Sequence, residues 1–127
     1  MSMVPNGVPF HGEFSSADAS ALSEANSRLA LYGAGGVSAL TLNANDFVSI
    51  TDVTISTGAA LTVQVYDGAN NAVGAGEQVC IAKINGAIAI PFTVAHTCQK
   101  GTYPKVITSG AGQVDVTIRG TIIRQGA

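Results

Sequence analysis

The stretch YDGANNAVGAGEQV, residues 66–79, gathers Asp67, Asn70, Asn71 and Glu77 between two strand-like ends. Side-chain oxygens at that density invite a test for calcium. A loop of the EF-hand kind needs oxygen donors at fixed positions and a closing Glu at position 12. Counted from Asp67, position 3 is Ala69, position 5 is Asn71, position 7 is Val73 and position 12 is Gln78. The pattern is absent. Gly68, Gly74 and Gly76 make the run a polar hairpin tip instead, because glycine supplies the backbone conformations that tight turns need.

Cys80, His96 and Cys98 raise the question of zinc. His96 and Cys98 are two residues apart, so on a strand they face the same side. A structural zinc site takes four ligands, usually including a close cysteine pair, and His11 is the one remaining histidine. That set is too thin. The expectation is a buried Cys80, a His96 at a strand end, a Cys98 in the following loop, and no metal. The two cysteines themselves are compatible with one disulfide or with two buried thiols. The opening MSMVPNGVPFHGEF lacks the basic and apolar regions of a secretion signal, so a reducing compartment and free thiols are expected.

Catalytic patterns are also missing. Two histidines and many serines permit a Ser-His-Asp set arithmetically, but no G-x-S-x-G elbow occurs. Asp46 and Asp52 lie near turn or strand positions and read as solvated or capping carboxylates. GAGG at 33–36 follows a helix-like stretch rather than a strand, so it is no phosphate-binding fingerprint. The sequence therefore predicts no catalytic residue, no cofactor and no enzyme.

The elements that would position any site are mostly strands. Residues 1–15 carry two prolines, two glycines and scattered apolar side chains at Val4, Val8, Phe10 and Phe14. This reads as an extended arm lying on a neighbouring subunit, with those four residues as partner contacts. In SSADASALSEANSRLALYG, Ser15 or Ser16 is a candidate helix cap, Leu22, Ala25 and Leu29 share a helical face, and Gly33 suits the end. One short helix is expected there.

From Val37 the apolar period becomes two. Val48 and Ile50 have one parity and Val53 and Ile55 the other, so a bulge near Asp52 is needed to bring both pairs inward. Leu61, Val63 and Val65 alternate with polar residues, as do Val114, Val116 and Ile118. Asn85-Gly86 is a two-residue hairpin turn feeding Ile88, Ile90, Phe92 and Val94, all on one face. Seven or eight short strands with regular turns predict an antiparallel β-sandwich. The division expected is an arm with a short helix over 1–36 and a β-sandwich domain over 37–127.

Composition narrows the class of partner. A chain of 127 residues and 12.8 kDa fits one core. Charged residues are 11%, against roughly 25% in an ordinary soluble domain. Such sparse charge suits a surface hidden in a homo-oligomer or larger assembly. The net charge is −2, and no basic stripe with interleaved aromatics appears, which argues against nucleic-acid binding. No apolar run approaches the roughly 20 residues of a membrane-spanning helix.

The blocks LTLNANDFVSITDVTISTGAALTVQVYDG and CQKGTYPKVITSGAGQVDVTIRGTI resemble jelly-roll decoration, or cement, proteins of tailed-bacteriophage capsids. The likeness spans residues 37–124 and lies in Thr- and Val-rich strands, the YDG hairpin and the closing VDVTIRG. It implies a jelly-roll sandwich that sits as a trimer on the outside of the major capsid protein shell. There it would tie capsid subunits together. The chain would be made in the host cytoplasm and end in the virion. The alternative is a glycan- or receptor-binding β module of a phage tail or fibre. Sugar sites usually stack on exposed aromatics, and here there are three tyrosines and no tryptophan.

Overall fold

The computed structural model describes residues 7–16, 29–33, 39–67, 77–98, 101–110 and 112–124. All their regular elements are β-strands: β1 (Gly7–Ser16), β2 (Ala30–Gly33), β3 (Phe47–Thr57), β4 (Leu61–Asp67), β5 (Glu77–Ile84), β6 (Ala87–Thr97), β7 (Pro104–Thr108) and β8 (Val114–Ile123). They form two antiparallel sheets, ordered β2-β1-β8-β3-β6 and β5-β4-β7. The chain is all-β, with the two sheets packed as a sandwich.

From β3 onward the chain repeatedly changes sheet, at β3 to β4, β5 to β6, β6 to β7 and β7 to β8. The row β1-β8-β3-β6 facing β7-β4-β5 is the strand order of a jelly roll. In that order β2 would extend the smaller sheet beside β7. Here β2 pairs with β1, yet the Leu29 N–H just before it donates to the Pro104 carbonyl of β7 at 3.0 Å. The short β2 thus bridges from one sheet to the other.

The core is built on β3 and β8. Val48, Ile50, Val53 and Ile55 are all fully buried, although their parity changes midway. The reason is the bulge that the sequence predicts: the register of β3 shifts between Ile50 and Asp52 against both β8 and β6. Thr51 is the extra residue. Opposite it, a Cβ on Gly120 would collide with the Ser49 carbonyl oxygen, so β8 needs glycine there. Val114, Val116, Ile118 and Ile122 complete the inward row of β8.

The N-terminal expectations are corrected. Residues 7–16 are no arm laid on another subunit; they form β1, hydrogen-bonded between β2 and β8. Phe10 and Phe14 are buried in the chain's own core and Val8 packs against it, so none of the three is a free anchor for a partner. Val4 lies outside the described residues. The boundary at residue 36 does not divide the fold, because β1 and β2 belong to the same sheet as β8. The expected helix is also displaced at both ends: Ser15 and Ser16 close β1, and Ala30–Gly33 is β2. Its middle, residues 17–28 with Leu22 and Ala25, lies outside the described residues.

Two buried carboxylates mark the end of the sandwich where β3 begins and β4 finishes. Asp46 is held by the Asn43 N–H at 2.9 Å and by Arg124 Nη1 at 2.8 Å, both on Oδ2. Its backbone carbonyl accepts the Gly101 N–H at 2.7 Å, which ties the β6–β7 connection to the start of β3. Asp67 is the second.

Candidate functional site

Asp67 continues the inward row of β4. Leu61, Val63 and Val65 point into the sandwich at alternate positions, and two residues on from Val65 the same face carries a carboxylate. The side chain of Asp67 is completely buried. The expectation of a solvated tip starting at Asp67 is therefore wrong at that residue, while 68–76 lie outside the described residues. A β-strand places Asp by period, and nothing in the neighbouring turn sequence reveals that the period runs on.

Opposite Asp67 stands the end of β6. Its ladder with β3 steps from Asp52↔Pro91 to Ile50↔His96, so residues 92–95 arch out of register. The strand returns at His96. Directly paired residues of antiparallel strands share a face, and Ile50 is buried, so His96 turns inward. Cys98 follows on the same side, fixed by its N–H donating to the Val48 carbonyl at 2.8 Å. Asp67 from the smaller sheet thus meets His96 and Cys98 from the larger one.

One ligand atom from each of the three lies within 4.8 Å of the other two. His96 Nε2 is 3.6 Å from Asp67 Oδ2, too long for a hydrogen bond. That nitrogen is buried and has no hydrogen-bond partner among the described residues. An unsatisfied buried polar atom costs about 1–3 kcal/mol, so its position calls for a cause. The three groups converge on one point. In a nucleophile–base–acid relay the thiol and carboxylate would instead lie on opposite sides of the imidazole. Cys98 is also buried, which denies it a bulky substrate.

His11 and Cys80 are the other residues weighed, and set aside, as zinc ligands with His96 and Cys98. The structure separates them. His11 is on the outer face of β1, where it stacks on Tyr32 with ring centroids 5.3 Å apart and approaches Glu13 at 3.4 Å. Cys80 faces inward on β5, and burial pushes its thiol up to about 11, partly offset by a backbone hydrogen bond at Val65. Both cysteines are buried, and no disulfide joins them. The spacing of His96 and Cys98 was readable; Asp67, 29 positions before His96 on another sheet, was not.

A second feature is the flank formed by β5 and β6. Ile88 and Ile90 pair with Ile55 and Val53, so they share the inner face of the larger sheet. Yet Ile88 is 39% exposed and Ile90 half-buried, because a three-stranded sheet does not cover all of a five-stranded one. Val94, in the arched segment, is 81% exposed, and Ile81 on β5 is 47% exposed. Of the expected core face of β6, Ile90 and Phe92 pack against the core, whereas Ile88 and Val94 do not. β6 is an outer strand whose second edge has no strand partner among the described residues, and Pro91 within it fits an edge position.

No family model matches the chain, and no curated protein is similar to it.

Proposed function

We propose that the chain is a non-enzymatic virion structural protein, a capsid decoration or cement protein that binds the outside of the major capsid protein shell as a homotrimer. The observation that carries this reading is the β5–β6 flank. Ile81, Ile88 and Val94 are the exposed large apolar side chains among the described residues, and all three lie on these two strands. They border a strand edge that has no strand partner among the described residues. Such an edge accepts a strand from a neighbour, and apolar side chains around it add contact area. The scarcity of charge points the same way, because a rim of lysines and glutamates is what normally keeps an edge from pairing.

The flank takes over the role first assigned to the N-terminal arm. Three copies around one axis would present three such edges together, so that individually weak contacts act at high effective concentration. The sugar-binding alternative loses ground on the tyrosines. Tyr66 is buried, the Tyr103 hydroxyl accepts the Leu42 N–H at 2.9 Å, and Tyr32 is stacked on His11. Tyr66 is thereby withdrawn from any ligand, and one face of Tyr32 is already taken.

The test is co-expression with the major capsid protein encoded in the same genome, followed by sedimentation of the assembled shells and cryo-electron microscopy. The chain should sediment with shells and appear as three-fold density on their outer surface. Sedimentation equilibrium should give a trimer for the free or the bound protein. A chain that stays in the supernatant, and is monomeric throughout, ends the proposal.

A further inference from the structure

The cluster at the end of the sandwich has a donor set and a geometry of its own. The geometry points to a binding site for a borderline-soft divalent cation, Zn(II), held by Asp67, His96 and Cys98 and stapling the two sheets together. Zinc takes nitrogen at about 2.0–2.1 Å, carboxylate oxygen at about 2.0–2.2 Å and thiolate sulfur at about 2.3 Å in a tetrahedron. Two such ligands around one ion stand about 3.3–3.7 Å from each other by that geometry. The 3.6 Å between His96 Nε2 and Asp67 Oδ2 is too long for a hydrogen bond and falls in this range. The three donor atoms, the thiol sulfur included, all lie within 4.8 Å of one another.

The orphaned nitrogen is the second, independent observation. His96 Nε2 is shielded from solvent and makes no hydrogen bond among the described residues, although it is aimed at a buried carboxylate. A cation between them gives that nitrogen a partner and adds a ligand from the carboxylate. One imidazole, one thiolate and one carboxylate favour zinc over magnesium or calcium, which take all-oxygen sets. Three protein ligands leave a fourth tetrahedral position for water or for a donor from a neighbouring molecule. The placement gives the ion a structural task. Asp67 belongs to the central strand of the smaller sheet, His96 ends the outer strand of the larger sheet, and Cys98 is anchored to β3. An ion there joins the sheets where a secreted sandwich would use a disulfide. This inference does not depend on what the protein assembles with.

The experiment uses the full, untagged chain freed of metal with a chelator. Titration with Co(II) should produce a saturable near-ultraviolet thiolate-to-cobalt band and intense ligand-field bands of a tetrahedral site. One equivalent per chain is expected, and Zn(II) should displace it. Zn(II) should also raise the thermal midpoint, since a ligand of the folded state stabilises by mass action. Cys98→Ser and His96→Gln should each weaken binding by more than the 10–100-fold typical of losing an outer-shell partner. Cys80→Ser and His11→Gln should bind as the parent does. If Cys98→Ser does not fold, His96→Gln, altered at a partly exposed ring, carries the same test alone. The proposal is overturned if the parent shows no saturable thiolate–cobalt band. It is equally overturned if the band depends on Cys80, or if His96→Gln binds with parental affinity.

Discussion

Strands β8 and β6 flank the same strand, β3, in the same sheet, and both alternate apolar with other residues. On β8 the alternate residues Val114, Val116, Ile118 and Ile122 are buried; on β6 Ile88 and Val94 reach solvent. The difference is coverage. β8 lies mid-sheet with the smaller sheet above it, whereas β6 stands at the margin of a five-stranded sheet faced by three strands. A period of two reports which side chains share a face, and the width of the opposing sheet decides which of them lose water. Apolar residues kept on an uncovered margin are thereby candidates for contact with another molecule.

The largest effect should come from β8. Ile118→Ala should lower unfolding free energy by about 2–5 kcal/mol, because it leaves a cavity in the centre of the core. Ile88→Ala on β6 should cost less than about 1 kcal/mol, since part of that side chain is already hydrated. Urea denaturation of the two variants beside the parent measures both. Equal losses would mean that β6 is as well covered as β8, and the comparison would collapse.

The bulge of β3 provides the next test. Gly120→Ala sets a methyl group against the Ser49 carbonyl, and rigid backbone on both sides leaves little room to yield. A loss of about 1–3 kcal/mol is expected, typical of overpacking. Gly110→Ala meets nothing within 4 Å and should change stability by no more than about 0.5 kcal/mol. If Gly120→Ala is as harmless as Gly110→Ala, the bulge does not hold Ser49 against β8.

The bulge itself was legible in the sequence, because the parity of Val48 and Ile50 conflicts with that of Val53 and Ile55 unless one residue is extra. The rows Leu61, Val63, Val65 and Val114, Val116, Ile118 were equally plain. β1 was hidden by a glycine. Phe10, Gly12 and Phe14 form its inward row, but the middle member carries no side chain, so the alternation vanished from view. Its place is filled from elsewhere: a Cβ on Gly12 would lie 2.8 Å from Ile118 Cγ1 and 3.1 Å from Leu31 Cδ2. Leu29 misled in the opposite direction, joining Leu22 and Ala25 in a helical spacing although it and Leu31 are the inward residues around a short strand. The candidate site divides in the same way. His96 and Cys98 share a face by local spacing, whereas Asp67 reaches them only through the packing of one sheet on the other.

Within the β5–β6 flank the same contrast of covered and uncovered recurs between neighbours, Cys80 inward and Ile81 outward. Cys80 has its thiol raised from 9.0 to about 11 by burial. Below pH 9 the thiol is protonated in folded and unfolded chains alike. Between pH 9 and 11 the unfolded chain releases the proton while the folded one keeps it, so this contribution to stability is present below 9 and lost as pH approaches 11. The loss should amount to about 2 kcal/mol, read as the difference between parent and Cys80→Ser in denaturation series across that range. The difference cancels the titration of other groups. A parent and variant that decline in parallel would place Cys80 in contact with water, and the cover over β5 would be thinner than the structure shows.

The smallest effect on the isolated protein should be the most telling for function. Val94 is nearly as exposed as in an unfolded chain, and Ile88 is partly so. Val94→Thr and Ile88→Thr keep the β-branched shape that strands favour and add a hydroxyl that water solvates. For the free chain, each change should alter stability by about 0.5 kcal/mol or less. In an assembly that buries the flank, the same hydroxyls must leave water without assured partners, at a cost of about 1–3 kcal/mol each. If the chain is the proposed capsid decoration protein, the double variant should melt like the parent yet lose most of its attachment to shells, and three copies acting together would magnify the loss. Shell attachment is measured by cosedimentation, stability by thermal unfolding. Parental attachment in the double variant would remove the flank from the interface and leave the outer face of β1 and β2, with His11 and Tyr32, as the next surface to alter. A double variant that fails to fold would show instead that Ile88 and Val94 are covered within the chain. That outcome would erase the distinction between β6 and β8 on which the interface assignment stands.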